Sequence, residues 1–299
     1  MSGSSLTFVA IDTESTGTDP HTARVVELGW CVFTDGAPGL AGRALFHPGG
    51  PIPPEASEVH GLTDAHVADA PPFATWPRLR EMLLSRKLCG YNLLGYDGPL
   101  LAAEGRRAFG EEFVVGGLDP LVFVRWHLPE LKGKLGVIAA HLGVSLRDAH
   151  TAAADARAAG EVLVAMVRRG LIPEDRAEAL RVQNEYAYAI AEERERWGYW
   201  IYLDRTDRKT LRAGCGRSRG EPLASAAGRE YAAWALREHA KALAGHGDRK
   251  LPPAAWQVFT KLLGRSTRCG GVLSLTDAEQ LRLDVPAAGG AAGLHAGGV

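Results

Sequence analysis

No apolar run in this sequence is long enough to cross a bilayer, and the opening Met1-Ser-Gly-Ser-Ser5 lacks the basic start of a signal peptide. The chain therefore reads as cytoplasmic, with no membrane partner. Cysteine is scarce. The four in 299 residues (Cys31, Cys89, Cys215, Cys269) are widely spaced, without the paired spacing of a metal finger, and read as reduced thiols. Charge of either sign is not in excess: the net charge is -1, so no global basic field advertises a polyanionic partner. A site built on metal ions can still supply positive charge locally. No internal repeat is present. What remains is ordinary, with 46% hydrophobic and 23% charged residues in a length that holds one substantial domain and a smaller one.

The first part alternates strand and helix patterns. Leu6–Ile11 and Val25–Phe33 read as strands joined by the polar turn Ser15-Thr-Gly-Thr-Asp-Pro20, and Ala44-Leu-Phe46 as a third strand before the proline-rich loop His47–Pro54. Phe73–Ser85 has helical apolar spacing, with its regular part starting near Pro77. Leu88–Tyr91 returns to the sheet, Gly98–Ala108 leaves it as a helix, and Val114-Val115 with Leu118 marks a short strand. Helices follow near Leu121–His127 and over Leu135–Leu142. Ala152–Val167 has the clearest helical pattern, closed by the basic residues and glycine of Arg168-Arg169-Gly170.

Composition shifts after Gly170. Pro173–Trp197 is a long helical pattern dense in Glu and Arg, and Tyr199–Leu203 with Lys209–Ala213 flanks Asp204-Arg-Thr-Asp207 as a small hairpin. Arg229–Leu243 and Ala254–Leu263 read as two more helices, and the Ala- and Gly-rich tail after Pro286 as disordered. The expected division is 1–170, 171–285 and 286–299. Six basic residues (Arg205, Arg208, Lys209, Arg212, Arg217, Arg219) gather along the hairpin and its following loop. They are either phosphate contacts or a solvated face paired with Asp204, Asp207 and Glu221. Tyr231 and Trp234 read as core. A chain ended near Gly170 should still cleave if the second region only holds substrate. It should be insoluble if Pro173–Trp197 covers apolar surface of the first.

Asp12 and Glu14 sit one residue apart at the end of the first apolar strand. Two carboxylates buried at a strand end are costly unless cations share them, so the pair points to divalent-metal ligands. The same spacing in Asp277-Ala-Glu279 reads as a solvated helix start. What lifts the first pair is its company: Asp97 follows the second apolar stretch, and His150 and Asp155 open the alanine-rich helix. Any one of these residues alone is more readily a cap or a surface acid. Together they form a site for two Mg²⁺ or Mn²⁺ ions about 4 Å apart, as a phosphodiesterase uses. Asp12 is placed to bridge both ions, Glu14 and Asp155 to complete the shell of one, and Asp97 to help hold the other. His150 is placed to act as a neutral general base.

Phe8-Val-Ala-Ile-Asp12-Thr-Glu14-Ser-Thr-Gly17, Gly90-Tyr-Asn92-Leu-Leu-Gly-Tyr96-Asp97 and His150-Thr-Ala-Ala-Ala-Asp155 resemble, in this order, the three motifs of the DEDDh 3′–5′ exonucleases. Pro51–Asp64 resembles the same family's substrate-side loop, and the second motif has one residue more between Asn and Asp than the epsilon-type pattern. The resemblance covers residues 6–168. It implies an α/β, RNase H-like mixed sheet flanked by helices, followed here by a small helical and hairpin region. It implies release of 5′-mononucleotides from single-stranded nucleic acid 3′ ends, with DNA ahead of RNA. An RNA-processing 3′ exoribonuclease and a catalytically silent nucleic-acid-binding scaffold are the alternatives. Thr13, Ser15 and Thr16 would lie near the terminal nucleotide, His60, Gly61 and Leu62 would border its pocket, and Asn92 and Tyr96 would support the second motif. His60 reads almost equally as a residue that only orders its loop, and Asp119 as a helix cap. No polymerase-length region is present, so a polymerase or repair complex would be a partner in trans. Leu211–Leu223 with Tyr231 and Trp234 resembles a small module found after such domains, with Cys215 in place of its aromatic residue and Arg217 in place of its lysine.

Overall fold

Side chains alternate between the two faces of a strand, and that period of two organises the first unit of the protein. The computed structural model describes residues 6–75, 79–84, 87–110, 114–131, 133–146, 151–204, 210–215, 219–246 and 249–265. The chain divides into two compact units, Met1–Ile190 and Ala191–Val299. In the first, β1 (Phe8–Ser15) lies at the centre of a five-stranded mixed sheet. It pairs antiparallel with β2 (Val25–Thr34), which pairs antiparallel with β3 (Ala37–Leu45).

After β3 come three short helices, α1 (Pro54–His60), α2 (Asp64–Val67) and α3 (Leu79–Leu84), and then β4 (Leu88–Cys89), parallel to β1. Helix α4 (Asp97–Phe109) leads to β5 (Gly117–Leu118), parallel to β4 at the sheet edge. Helices α5 (Pro120–His127), α6 (Leu135–Leu142), α7 (Ala152–Arg168) and α8 (Arg176–Trp197) follow.

Phe8 and Ala10 of β1, with Cys31 and Phe33 of β2, pack under α5, α6 and α7, whereas Ile11 and Leu28 pack with Leu100 and Leu101 of α4 on the other face. Two glycines let α7 lie close. A Cβ on Gly160 would meet the Phe33 ring at 2.2 Å, and one on Gly29 would meet the Ala152 backbone at 2.1 Å. α4 is tied to β2 by the buried Glu104, which accepts from the Val25 amide at 3.1 Å and pairs with Arg24 at 2.7 Å.

Strand β1 runs on to Ser15 rather than ending at Ile11, β5 is Gly117–Leu118 without Val114-Val115, and the largest departure is at the third strand. The third strand begins at Ala37, not Ala44, and Phe46 falls beyond its end. The cause is the two-residue turn Asp35-Gly36, both at positive φ (50° and 74°), whose twist sends the chain straight back along β2. The regular helix read as starting near Pro77 is α3, which begins at Leu79, and Phe73–Thr75 before it forms a 3₁₀ turn. After the proline-rich loop come two helices the sequence reading left out, with Pro54 opening α1 and Thr63 capping α2.

Helix α8 carries the chain from the first unit into the second. Its early turns belong to the first core: Ala179 is buried there, Leu180 and Val182 pack against it, and Tyr186 stacks on Trp126 at 4.1 Å. Gln183, buried, accepts from the Asp119 amide at 2.7 Å and donates to the Gly117 carbonyl at 3.0 Å, closing hydrogen bonds at the edge strand β5.

The second unit holds the β6 (Ile201–Leu203) and β7 (Leu211–Ala213) hairpin, α9 (Ala226–Leu243) and α10 (Pro253–Arg265) around Trp200, Tyr231 and Phe259. Tyr231 is core, as expected; its hydroxyl donates to the Trp200 carbonyl at 2.8 Å, and Trp234 packs beside it. Arg212 is committed to Asp204 at 2.6 Å and to the Gly220 carbonyl at 2.7 Å, which is the paired arrangement. Arg205, Arg208, Lys209, Arg217 and the tail from 286 lie outside the described residues.

Ending the chain at Gly170 would strip Ile172, Ala179, Gln183 and Tyr186 from the first core. We expect such a fragment to be insoluble or to lack a cooperative melt by circular dichroism. In the full chain, Tyr186→Ala should cost about 3 kcal/mol in urea unfolding. A soluble 1–170 fragment that melts cooperatively would contradict this placement of α8.

Candidate active site

Because Phe8 and Ala10 face α7, residues 12 and 14 share their parity and face it too. Asp155, in the first turn of α7, comes to the same place. Ligand oxygens of Asp12, Glu14 and Asp155 all lie within 4.8 Å of one another. Gly29 pairs with Asp12 across the β1–β2 ladder, and its missing side chain leaves the space that Ala152 at the start of α7 occupies.

Burial pushes the Asp12 carboxyl well above its usual range, and the charges of Asp97, Glu14, Asp155 and Glu27 add to the shift. Glu14 is raised to about 7, first by desolvation and then by Glu27, Asp155 and Asp97. Acids this close cannot all ionise without a countercharge. Three convergent carboxylates are hard oxygen donors, so the group fits a divalent cation such as Mg²⁺ or Mn²⁺.

Asp97, the first residue of α4, is buried on the opposite side of β1 and stands outside that group of three. Burial raises it to about 7, and the Thr13 hydroxyl, donating to Oδ1 at 2.6 Å, works against the shift. Thr13 thus spends its side chain on Asp97. The Ser15 and Tyr96 hydroxyls and the Gly17 carbonyl lie within hydrogen-bonding reach of one another, with two hydroxyl protons shared among the three oxygens. Thr16 Oγ1 accepts from the Arg24 amide at 2.9 Å. The turn after β1 is therefore fastened at both ends.

His60 ends α1, with Gly61 as its left-handed cap at φ 74°. Its Nδ1 accepts from the Leu62 amide at 3.0 Å, while Nε2 is buried without a hydrogen-bond partner. Burial lowers its pKa, against smaller opposing effects of the Ser15 backbone and the Glu27 charge. Leu62 packs in a small cluster with Val26, Ile52 and Val67. Asn92 adopts a positive φ of 70°. His150 lies outside the described residues.

Sequence reasoning did not single out Glu27. It is 2% exposed, pairs with Glu14 across the ladder, and carries the Arg43 guanidinium at 2.9 Å on Oε1 and the Ala152 amide at 3.3 Å on Oε2. The signal was present: one acid inside Val25-Val-Glu-Leu-Gly-Trp-Cys-Val-Phe33, otherwise an uncharged strand. Asp119 does cap α5, accepting from Leu121 at 3.0 Å, but it also accepts from Asn92 at 2.9 Å and Leu94 at 3.1 Å. It thereby fixes the loop that delivers Asp97. A cavity of about 540 Å³ opens beside Asp12 and Asp155, walled by Tyr91, Leu135, Ala140, Val144 and Leu146.

Three antiparallel strands extended by two parallel ones, with helices on both faces, make the RNase H-like arrangement. With acids converging at the end of its central strand, it defines a class of carboxylate-based nucleases. Comparison with known proteins narrows the class. The exonuclease family matches residues 9–163. The chain belongs to this family, and the matched segment is an exonuclease domain of the DEDD, 3′–5′ type.

It is 27% identical over 158 residues to the PolC-type DNA polymerase III of Clostridium perfringens, a match covering 52% of this chain but only 11% of that polymerase. It is 26% identical over 204 residues to the DNA polymerase III subunit epsilon of Pasteurella multocida, covering 61% of this chain and 78% of that subunit. Among solved structures, exonuclease X in complex with 5′ overhanging duplex DNA aligns at a TM-score of 0.46 and 22% identity, over 57% of this chain and 98% of that one.

The raised acids set a pH dependence. Glu14 moves from the ordinary glutamate value of 4.5 to about 7 in the folded chain. A raised acid favours the fold below its unfolded pKa, and that contribution disappears as pH rises through the folded value. Melting temperature in chelator should therefore fall as pH rises from 4.5 to about 7. Mn²⁺ should raise it, and more strongly at the top of this window, where ions compete with fewer protons. A melting temperature indifferent to Mn²⁺ at every pH would separate these acids from any metal site.

Proposed function

We propose that the protein removes nucleotides from the 3′ ends of single-stranded DNA, releasing 5′-mononucleotides, by a two-metal mechanism. The observation that carries this reading is the convergence of Asp12, Glu14 and Asp155 from two elements into one close group, in which burial and neighbouring charges raise Asp12 and Glu14. Asp12 is assigned to both ions, Glu14 and Asp155 to one, and Asp97 to the other. Mg²⁺ or Mn²⁺, when bound, supplies positive charge against the phosphate and makes water there more acidic. His150 takes a proton from the attacking water as general base.

The substrate side is assigned to the fastened turn of Thr13, Ser15 and Thr16, supported by Asn92 and Tyr96 beneath it. His60, Gly61 and Leu62 border the terminal nucleotide. The apolar wall of Tyr91, Leu135 and Val144 offers a surface on which an unstacked base can lie next to Asp12. DNA is favoured over RNA by the DNA polymerase III relatives, and a polymerase or repair complex acting in trans is the proposed partner.

The test uses 5′-labelled single-stranded DNA and RNA with and without Mg²⁺. Stepwise shortening from the 3′ end, dependent on Mg²⁺ and faster on DNA, is expected. Asp12→Ala and Asp155→Ala should abolish shortening while leaving the fold intact or slightly stabilised, because each relieves like-charge repulsion. His150→Ala should slow turnover by roughly 10²–10⁴-fold. Near wild-type turnover in Asp12→Ala would remove these acids from the reaction.

A further inference from the structure

Glu27 is a carboxylate where stability alone gives no reason for one. It sits directly across the ladder from Glu14, and like charges so placed repel. Its ion-pair partner, Arg43, has a side chain 53% exposed, and a pair half open to solvent contributes little. It is also not built as a metal ligand, since one oxygen holds the Arg43 guanidinium and the other the Ala152 amide.

That second bond is the informative one. Ala152 is the first residue of α7, so its N–H has no partner within the helix. Thr151, the cap, takes the Ala154 amide instead, at 3.4 Å. Glu27 thus supplies the acceptor that α7 lacks, and does so from the sheet rather than from the helix. Two positions farther along β2, Gly29 makes the notch into which the Ala152 backbone drops. Notch and carboxylate together fix the start of α7 in depth and along the strand. Asp155 lies three residues, just under one helical turn, beyond the point so fixed.

We propose that Glu27 is a positioning residue for the metal centre: through the Ala152 N–H it holds the first turn of α7 so that Asp155 meets Asp12 and Glu14. The inference rests on the metal-site reading above. It distinguishes hydrogen-bond anchoring from a mere contribution of negative charge, because a glutamine can still accept from Ala152 but carries no charge.

The test is Mn²⁺ affinity of the full chain, measured by electron paramagnetic resonance, with circular dichroism confirming the fold. Glu27→Ala should weaken Mn²⁺ binding by about tenfold or more, the scale for groups that orient metal ligands. Glu27→Gln should stay within about threefold of the wild type, a rescue that a bulk structural role does not predict. Glu27→Met, which keeps the volume without an acceptor, repeats the test should the alanine variant fail to fold. Wild-type affinity in a folded Ala or Met variant would overturn the proposal, and so would a glutamine variant as weak as alanine. Loss of fold in both Ala and Met would make the role structural and defeat it equally. A wild-type chain that binds no Mn²⁺ would instead sink the metal-site reading itself.

Discussion

Carboxylates held close together repel one another, and the first unit is arranged around that repulsion. At 4.8 Å and an effective dielectric of 20, one ionised pair costs roughly 3 kcal/mol. That is a large part of the roughly 5–15 kcal/mol by which a domain is stable. Such a group persists only where rigid elements fix every member and protons or cations relieve the charge. Here the members come from the central strand and a helix laid across it, which are the parts of the fold least able to yield. Gly29 and Gly160 allow that helix to lie against β2, so the packing of the core and the placement of Asp155 are one arrangement.

The fourth acid is held by a different device. Asp97 belongs to a loop and helix on the other side of β1, where its charge reaches Asp12 but its oxygens stay outside the close group. Thr13 holds its carboxylate, and Asp119 holds its loop through the Asn92 and Leu94 amides. Asp119 is in turn held by Gln183 of α8, beyond the matched exonuclease segment. The long helix therefore does more than lead into the second unit. It completes the hydrogen bonding of the edge on which the second motif rests.

Much of this was legible in the sequence because its signals are local. The strand carrying Asp12 and Glu14, the helix carrying Asp155, and the order of the motifs all follow from apolar runs ended by charged residues. The start of β3 was missed because Ala-Pro-Gly-Leu-Ala-Gly has little strand character. Its pairing is imposed by the Asp35-Gly36 turn rather than by its own side chains. Glu27 and Gln183 were missed for a further reason. Each acts through a partner distant in sequence, Ala152 for one and Asp119 for the other, and a pattern read along the chain holds no information about which distant amide lacks an acceptor.

The alternation of β1 finally accounts for the asymmetry of the site. Asp12 and Glu14 point toward α7 and meet Asp155, whereas Thr13 points the other way and meets Asp97. One strand thus presents a tight group of three acids on one face and a single, hydrogen-bonded acid on the other. In the proposed reading, Asp12, Glu14 and Asp155 would hold one ion, and Asp97 with Asp12 would help hold the other, with fewer carboxylates to share it. An ion with fewer protein ligands keeps more places for water and substrate.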